Sequence, residues 1–254
     1  MTLFDLKGKV AVVTGGNGGI GLGMARGLAQ AGARIVVAAR NPDKGRAAVT
    51  ELEHLGTDAI FCAVDVANEA SVEAMVQQTV GTFGGVDILV NNAGTNIRKQ
   101  PQEYTLAEWH QVLDTNLTSA FLCSKAVHPL MTKAGRGKII NIGSMMSIFG
   151  ASFAGPYAAS KGGIVQLTKA MASAWARDHI QVNAVLPGWI DTELTQAARR
   201  QIPGLHERVV ARTPDGRWGI GGDFAGIAVF LASPASDFIT GTAIPVDGGY
   251  SVQG

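Results

Sequence analysis

A tyrosine and a lysine, Tyr157 and Lys161, stand four residues apart in the stretch PYAASKGG, near the start of a predicted helix. Residues at positions i and i+4 share one helix face, with Cβ atoms about 5–6 Å apart. A free tyrosine, with a pKa of about 10, is a slow base at neutral pH. A lysine ammonium beside the phenol would lower that pKa and suit the pair to proton transfer. Because this spacing also arises by chance, other residues must decide between catalysis and packing.

Two further polar side chains could complete such a site. Ser144 ends the apolar run GKIINIGS (137–144), where its hydroxyl would hydrogen-bond a substrate oxygen and stabilise developing negative charge. Asn116 lies in a long apolar helical stretch, where a buried amide needs a hydrogen-bonding partner. Two nearby serines rank lower: Ser147 is out of register with the strand end, and Ser160 is expected to pack on a helix face.

Other kinds of chemistry find little support in the sequence. No G-x-S-x-G nucleophile elbow is present, which argues against a serine hydrolase. The two cysteines, Cys62 and Cys123, lie in apolar segments and lack metal-ligand spacing, so we expect buried thiols, no disulfide and no metal site. The five histidines are scattered along the chain: His54, His110, His128, His179 and His206.

Composition bounds the class of protein. The chain has 254 residues, of which 46% are hydrophobic and 16% are charged, as in a globular α/β protein. The net charge of +1, without a long Lys/Arg cluster, argues against a nucleic-acid partner. The N-terminal residues lack the basic-then-apolar layout of a signal peptide, and no apolar run reaches the ~18 residues of a membrane span. We therefore expect a soluble cytoplasmic protein with no membrane partner.

Short β-branched apolar runs alternate with helical patterns along the whole chain. The runs are continuous rather than alternating, which is typical of parallel strands covered by helices on both faces. Seven runs predict strands: KVAVVTG (9–15), RIVVAAR (34–40), AIFCAVDV (59–66), VDILVNNAG (86–94), GKIINIGS (137–144), IQVNAVLPG (180–188) and AIPVDGG (243–249).

Helical patterns fill the intervals between the predicted strands. Ser71 and Thr105 are candidate N-caps, and Gly32, Gly56 and Gly84 are candidate helix stops. The predicted helices cover 21–32, 44–56, 70–84, 105–133 and 157–178. This rhythm predicts an α/β protein with a single-domain Rossmann fold, a doubly wound parallel sheet of about seven strands flanked by helices. Ligands bind beyond the carboxyl ends of such strands.

The first strand ends in a glycine-rich turn, TGGNGGIG (14–21), and a helix follows at once. The spacing is G-x-x-x-G-x-G, with Gly15, Gly19 and Gly21 at the glycine positions. Backbone N–H groups at the start of a helix, without Cβ atoms in the way, favour a pyrophosphate. A tight strand-to-helix turn without a ligand is the alternative, and the flanking strand and helix weigh against it.

The glycine spacing and the order of the later motifs resemble the short-chain dehydrogenases/reductases, whose turn reads T-G-x-x-x-G-x-G. The similarity extends over essentially the whole chain, through VDGG near the end. It implies hydride transfer between a nicotinamide cofactor and a secondary alcohol or ketone, with Asn116, Ser144, Tyr157 and Lys161 as the catalytic residues. It also implies that Lys161 holds the nicotinamide ribose and that Asn116 anchors a proton-relaying water.

The end of the second strand bears on the choice of dinucleotide. A carboxylate there would accept the ribose hydroxyls of NAD and repel a 2′-phosphate, but Ala39 occupies that position and Arg40 follows. A guanidinium is suited to bidentate phosphate recognition, which favours NADP(H). Members of the resembling family that use NADP often carry a second basic residue within the turn, where this chain has Gly18. NAD(H) therefore stays open, with Arg40 stacked on adenine.

The other strand ends supply the remaining predicted cofactor contacts. By the resemblance, Asp65 would meet the adenine, Asn92 the adenosine, and Pro187 the nicotinamide. The full predicted set is Gly15, Asn17, Gly18, Gly19, Ile20, Gly21, Arg40, Asp65, Val66, Asn92, Ala93, Gly94, Tyr157, Lys161, Pro187, Gly188, Ile190 and Thr192.

Two substrate classes fit the sequence. The stretch AGTNIRKQPQEYT resembles gluconate- and deoxygluconate-type members of the family, in which case Arg98 or Lys99 would pair with a sugar-acid carboxylate. Apolar candidates near the site favour instead a broad pocket for hydrophobic ketones. The predicted substrate contacts are Asn96, Arg98, Ser144, Met145, Met146, Phe149, Phe153 and Trp189.

Three expectations concern the rest of the molecule. Residues 189–220 are predicted to form a substrate lid of one or two helices, and 164–176 is apolar on more than one face. Because family members commonly assemble through such helices, the resemblance implies a homotetramer. A non-catalytic dinucleotide sensor on this fold is the alternative to an enzyme, and it would be expected to lack Tyr157 or Lys161, both of which are present.

Overall fold

The computed structural model describes residues 3–253. In this range seven strands form one parallel sheet. The strands are β1 (Val10–Thr14), β2 (Arg34–Ala39), β3 (Ala59–Ala63), β4 (Ile88–Asn91), β5 (Gly137–Ile142), β6 (Ile180–Pro187) and β7 (Ala243–Val246). The helices are α1 (Gly19–Gln30), α2 (Pro42–Glu53), α3 (Glu69–Phe83), α4 (Leu106–Leu113), α5 (Ser119–Ala134), α6 (Gly155–Trp175), α7 (Glu193–Gln201), α8 (Leu205–Arg212) and α9 (Ala225–Ala232).

The strand order is β3-β2-β1-β4-β5-β6-β7, and every pairing is parallel. From β1 the chain builds outward to β3, then crosses to the other side of β1 to begin β4. This reversal leaves a crevice above the carboxyl ends of β1 and β4, where open α/β sheets bind ligands. The predicted doubly wound Rossmann fold is confirmed.

Helices cover both faces of the sheet. On one face α1, α2 and α9 pack through side chains such as Leu28 and Leu231, and on the other α3, α5 and α6 pack through Met75 and Val127. Because β1 is buried along its whole length, its sequence is a continuous apolar run instead of an alternating one. Helix α9, which packs against α1, is not among the predicted helices. Its residues are apolar on all sides, so it carries no amphipathic signal.

Both cysteines are free and buried in the second of these layers. Burial raises the pKa of the Cys62 thiol to about 11 and that of the Cys123 thiol to about 12. Both therefore remain protonated at neutral pH, which makes them poor nucleophiles.

The helix termini follow from local capping. Thr105 caps α4, and Glu108 closes a capping box with it, as the sequence predicts. Helix α3 instead begins one turn earlier than a Ser71 cap implies: Asn68 is the cap, and its side chain accepts a hydrogen bond from Ser71 N at 2.9 Å. Gly84 ends α3 in the left-handed conformation that glycine adopts without strain. No helix in residues 3–253 is long and apolar enough to cross a membrane.

A close approach of backbones makes Gly23 the most demanding position on α1. A Cβ atom at this residue would lie 1.9 Å from the carbonyl oxygen of Gly221. We expect Gly23→Ala to lower the free energy of unfolding by about 2–3 kcal/mol in urea titrations, because backbone must move to admit the methyl group. Gly81→Ala on α3 is the matched control: it faces open space, so the free energy should rise by ~0.5–1 kcal/mol. Equal effects at the two positions would contradict this packing argument.

Candidate active site

A cleft of about 490 Å³ opens above the carboxyl ends of the central strands. Ser144, Tyr157 and Lys161 line it, together with every predicted cofactor contact except Gly21. Residues from eight separate segments meet in this cleft because parallel strands all end at the same edge of the sheet. Its lining also includes residues that are not among the predictions: Ala38, Ala39, Asn41, Lys44, Val64, Thr115, Ile142, Gly143, Glu193, Leu194 and Thr195.

The glycine-rich turn is locked to the end of β4. The Asn92 side chain donates hydrogen bonds to the carbonyl oxygens of Thr14 (3.0 Å) and Gly15 (3.2 Å). In return, the Thr14 hydroxyl accepts from the backbone N–H groups of Asn92 and Ala93. A Cβ atom at Gly21 would lie 2.4 Å from both Asn92 Nδ2 and Gly15 O. Gly21 therefore serves close packing beneath the turn and does not line the cleft.

The start of α1 fits a pyrophosphate. Its N-cap is Gly18, which has no side chain to occupy the first N–H groups of the helix, and the space around a Cβ atom there is open to 4 Å. Gly18, Gly19 and Ile20 all line the cleft. Uncapped N–H groups and the positive end of the helix dipole attract phosphate oxygens. A dinucleotide is thus compatible with the turn.

The far end of the cleft is basic. Ala39 and Arg40 end β2 as the sequence indicates, and Arg40 is exposed at the rim. Lys44, four residues further on, also lines the cleft, although it is not among the predicted contacts. The spacing from Arg40 into the first turn of α2 is the signal that could have identified it. These two cations, without a carboxylate at Ala39, fit a ligand that carries a phosphate at this end.

Asn116 lies in a π-helical turn, Asp114–Thr118, which joins α4 to α5 within the predicted helix 105–133. Its Oδ1 accepts from Thr95 N at 2.7 Å, while its Nδ2 donates to Thr95 O at 2.9 Å and to Ser160 Oγ at 3.0 Å. The buried amide therefore holds the segment after β4 against α6. π-helical turns are frequent at functional sites because the extra residue redirects a side chain. Thr115, its neighbour, is the residue of this turn that lines the cleft.

The two serines after β5 have different positions. Ser144 begins a short turn, with its hydroxyl accepting from Met146 N at 3.1 Å, and it lines the cleft. The Ser147 hydroxyl accepts from Ser144 N at 3.2 Å and donates to Lys161 O at 2.7 Å. Ser147 thereby ties the Ser144 turn to α6, from which Tyr157 and Lys161 project.

The electrostatics of the tyrosine differ from the prediction. The Lys161 ammonium donates to Ile142 O at 2.7 Å and lies 5.7 Å from the centre of the Tyr157 ring. Burial lowers the pKa of Lys161 to about 8. Burial also raises the pKa of Tyr157, and a hydrogen bond with Ser144 and the positive charge of Arg98 oppose that rise. The predicted lowering of the Tyr157 pKa by Lys161 is therefore wrong for this structure.

Besides Lys161, Arg98 is a second cation whose charge reaches Tyr157. It is half-buried, donates to Leu194 O at 3.1 Å and to Gln201 Oε1 at 3.3 Å, and its charge acts on Tyr157. Lys99, the alternative candidate, is held away by an ion pair with Glu108 at 2.6 Å. Burial lowers the pKa of Arg98, as expected for a guanidinium partly removed from water.

Most apolar substrate candidates pack elsewhere. Met145 is buried in a cluster that includes Tyr250, and Met146, Phe149 and Trp189 pack against that cluster. The carbonyl oxygen of Phe153 accepts from the Tyr104 hydroxyl at 3.2 Å. Of the described residues in the predicted substrate set, Ser144 is the one that lines the cleft. The reason is that the turn after β5 folds onto β6 and the C-terminal segment. Asn96 Oδ1 is buried and has no hydrogen-bonding partner within residues 3–253.

The predicted lid segment, 189–220, contains α7 and α8. Its two ends meet where Asp191 N donates to Gly219 O at 2.8 Å and Gly219 N donates to Trp189 O at 2.9 Å. Trp218 is buried inside the segment, packed edge-on against Trp189 at 5.6 Å between ring centres. Glu193, Leu194 and Thr195, at the start of α7, line the cleft. Across residues 3–253 no group of His, Cys, Asp or Glu side chains could hold a metal ion.

A doubly wound sheet, a glycine-rich turn and a Ser-Tyr-Lys group at one cleft define a dinucleotide-dependent oxidoreductase. A family model described as enoyl-(acyl carrier protein) reductase matches residues 15–251. The chain is 44% identical to 2-dehydro-3-deoxy-D-gluconate 5-dehydrogenase of Formosa agariphila, over 97% of this chain and 94% of that protein.

Two solved structures extend the comparison. A short-chain type dehydrogenase/reductase from Mycobacterium marinum superposes with a TM-score of 0.93 at 37% identity, covering 98% of each chain. Gluconate 5-dehydrogenase from Burkholderia cenocepacia, in complex with NADP and tartrate, superposes with a TM-score of 0.94 at 40% identity, covering 99% of this chain and 98% of that one. The chain belongs to the short-chain dehydrogenase/reductase family.

Proposed function

We propose that this protein is an NADP(H)-dependent oxidoreductase that interconverts a secondary alcohol and a ketone on a gluconate-type sugar acid. The main support is that Ser144, Tyr157 and Lys161 line one cleft together with the glycine-rich turn. The positive charge of Arg98 also acts on Tyr157. The relatives named for gluconate-type substrates support the substrate class. NAD(H) is the alternative cofactor.

The bound nicotinamide would supply or accept the hydride. In the reduction direction Tyr157 donates its proton to the substrate oxygen, and Ser144 stabilises the developing negative charge by a hydrogen bond. Lys161, held by Ile142 O, carries its proton in most molecules at pH 7 because its pKa is about 8, and it offers further donors to a ribose hydroxyl. Asn116 fixes the Thr95 segment beside them.

The basic end of the cleft supports NADP(H) over NAD(H). We expect Arg40→Ala to weaken NADPH binding at least tenfold and NADH binding less than twofold, since only NADPH carries the 2′-phosphate. Titration of the full chain by tryptophan fluorescence measures both affinities. If the NADPH affinity stays within twofold of the wild-type value, the assignment of Arg40 is wrong.

The raised pKa of Tyr157 gives the two directions opposite pH dependence. Reduction needs the protonated phenol, so its kcat/KM should be flat near neutral pH and fall about tenfold per pH unit above the tyrosine pKa. Oxidation needs the phenolate, so its kcat/KM should rise about tenfold per unit until that pKa is reached. Profiles recorded from pH 6 to 10 in both directions test this. Because the Tyr157 pKa is raised above its ordinary value of about 10, reduction should show no tyrosine-dependent fall within this range, and an oxidation rate that falls with pH would contradict the assignment.

Two alternatives make different predictions. The hydrophobic-ketone alternative depends on apolar residues in the pocket, but Met145, Phe149 and Trp189 pack against the C-terminal cluster. The sensor alternative depends on a missing catalytic residue, but Tyr157 and Lys161 are both present. Neither alternative is favoured by a specific contact in the cleft.

A substrate panel tests the proposal directly. Oxidation of NADPH is followed at 340 nm with 5-keto-gluconate, with uncharged keto-sugars of matched length, and with hydrophobic cyclic ketones. We expect kcat/KM to be highest for the sugar acid. Preference for the hydrophobic ketones would favour the alternative pocket, and tight NADPH binding without turnover of any carbonyl would favour the sensor.

We further propose a cytoplasmic homotetramer. Large apolar side chains stay exposed on α4 and α5, with Leu106 at 71%, Trp109 at 37% and Phe121 at 45% of their full exposure. Exposed side chains of this size support association with other copies of the chain. Light scattering should give about four times the chain mass of 26.4 kDa, and a value near 26.4 kDa would exclude the oligomer.

A further inference from the structure

An ion pair spans the mouth of the cleft. Lys44 Nζ, in the first turn of α2, lies 2.5 Å from Glu193 Oε1, at the first position of α7. The two residues are 149 positions apart in the chain, and both line the cleft. The pair therefore connects the basic end of the site, which holds Arg40, to the start of α7, whose first residues line the cleft.

The position of Glu193 is unexpected for a site that would bind phosphates. Glu193 lines the same cleft as the cations Arg40 and Lys44. Its carboxylate is paired with the Lys44 ammonium, which would otherwise face a phosphate. Both side chains are well exposed, at 50% for Lys44 and 81% for Glu193. Exposed pairs of this kind are weak, so their members can exchange partners easily. A phosphate, with about −1.5 to −2 charges, attracts an ammonium more strongly than a single carboxylate does.

We propose that Glu193 is a specificity-determining residue that competes with the cofactor 2′-phosphate for Lys44. The inference rests on the proposed preference for NADP(H). A cofactor with the 2′-phosphate takes Lys44 from Glu193 and separates the start of α7 from α2. A cofactor without that phosphate leaves the pair intact. The carboxylate thus reduces the advantage that Lys44 gives to a phosphorylated cofactor.

The same end of α7 is also held from the substrate side. Arg98 donates to the carbonyl oxygen of Leu194, the residue after Glu193. Consecutive residues of α7 are thus bound by two different cations, Lys44 near Arg40 and Arg98, whose charge acts on Tyr157, and each cation is a candidate ligand for an anionic group. When Lys44 leaves Glu193 for a phosphate, the start of α7 loses the contact with Lys44 and keeps the one with Arg98.

Binding of two fragments tests the competition without turnover. Calorimetry on the full chain compares 2′,5′-ADP with 5′-AMP, which differ by the 2′-phosphate, and the ratio of their affinities is the readout. We expect Lys44→Gln to reduce this ratio about two- to fivefold and Glu193→Gln to raise it by no more than about the same factor, the range expected for one exposed ion pair. In the double variant the ratio should equal that of Lys44→Gln, because Glu193 then has nothing to compete for.

Matched variants separate this effect from general charge. Glu69 and Lys125 form an exposed ion pair at 2.9 Å outside the cleft, so Glu69→Gln and Lys125→Gln should leave the ratio unchanged. Under competition for Lys44, Glu193→Gln must not raise the ratio by the same factor in the wild-type chain and in the Lys44→Gln variant. If it does, repulsion between the Glu193 carboxylate and the 2′-phosphate explains the effect, and competition for Lys44 is excluded. If the wild-type chain prefers 2′,5′-ADP and Lys44→Gln leaves the ratio unchanged, the competition for Lys44 is excluded while the proposed NADP(H) specificity stands. A wild-type chain without that preference overturns the proposed NADP(H) specificity as well.

Discussion

Tyr157→Phe should reduce kcat by about 10²–10⁴-fold while leaving NADPH affinity within about twofold, because general acid–base catalysis typically contributes a factor of that size. The substitution removes only the phenolic oxygen. The aromatic ring stays in place at the start of α6, and Lys161 keeps its hydrogen bond to Ile142 O. The part of the site that would hold the cofactor should therefore be preserved. Steady-state assays at 340 nm with 5-keto-gluconate give kcat, and fluorescence titration gives the affinity.

Tyr250→Phe is the matched control for this prediction. Tyr250 is also largely buried, but its hydroxyl accepts a hydrogen bond from Arg212 at 3.3 Å and belongs to the cluster beneath the turn after β5. Because Tyr250 does not line the cleft, loss of its hydroxyl should change kcat less than about threefold. If Tyr157→Phe keeps more than a tenth of the wild-type kcat, Tyr157 is not the acid/base.

The sheet could be predicted from the sequence because the pattern that indicates each strand lies within a few consecutive residues. Each buried strand is a short, mainly apolar run, and each is followed by glycine or polar residues that differ from the run. Thr14 to Gly21 carries both the turn geometry and the start of α1 in eight consecutive residues. Helix α9 lacked such evidence, because a helix that is apolar on every side has no period to detect.

The side-chain partners at the site could not be predicted in the same way. The spacing of Tyr157 and Lys161 correctly indicates one helix face, but the ammonium is directed to Ile142 O, a group that only the packing of α6 on β5 brings within reach. Met145 and Phe149 follow Ser144 in sequence, yet the turn folds them against the C-terminal segment. The contacts of Lys44 with Glu193 and of Arg98 with Leu194 join residues about 100 or more positions apart.

Arg98→Gln should raise the KM for a sugar acid about 10- to 100-fold, since a hydrogen bond to a charged group contributes about 1.5–3 kcal/mol. The KM for an uncharged keto-sugar of the same length should change less than threefold. The substitution also removes the positive charge that opposes the burial-driven rise in the Tyr157 pKa, so the rising limb of the oxidation profile should move to higher pH. Arg98→Lys keeps the positive charge but loses the planar guanidinium, so its KM for the sugar acid should lie between the wild-type value and that of Arg98→Gln.

Lys99→Gln is the control that the chain itself provides. Lys99 is the next residue and also basic, but it is paired with Glu108, so its loss should leave the KM of both substrates and the pH profile unchanged. The contacts of Arg98 with Leu194 and Gln201 offer a different explanation for any defect, namely a displaced α7. A displaced helix would raise the KM of charged and uncharged substrates alike. Only a loss confined to the carboxylate-bearing substrate, accompanied by the shifted pH profile, identifies Arg98 as its binding partner.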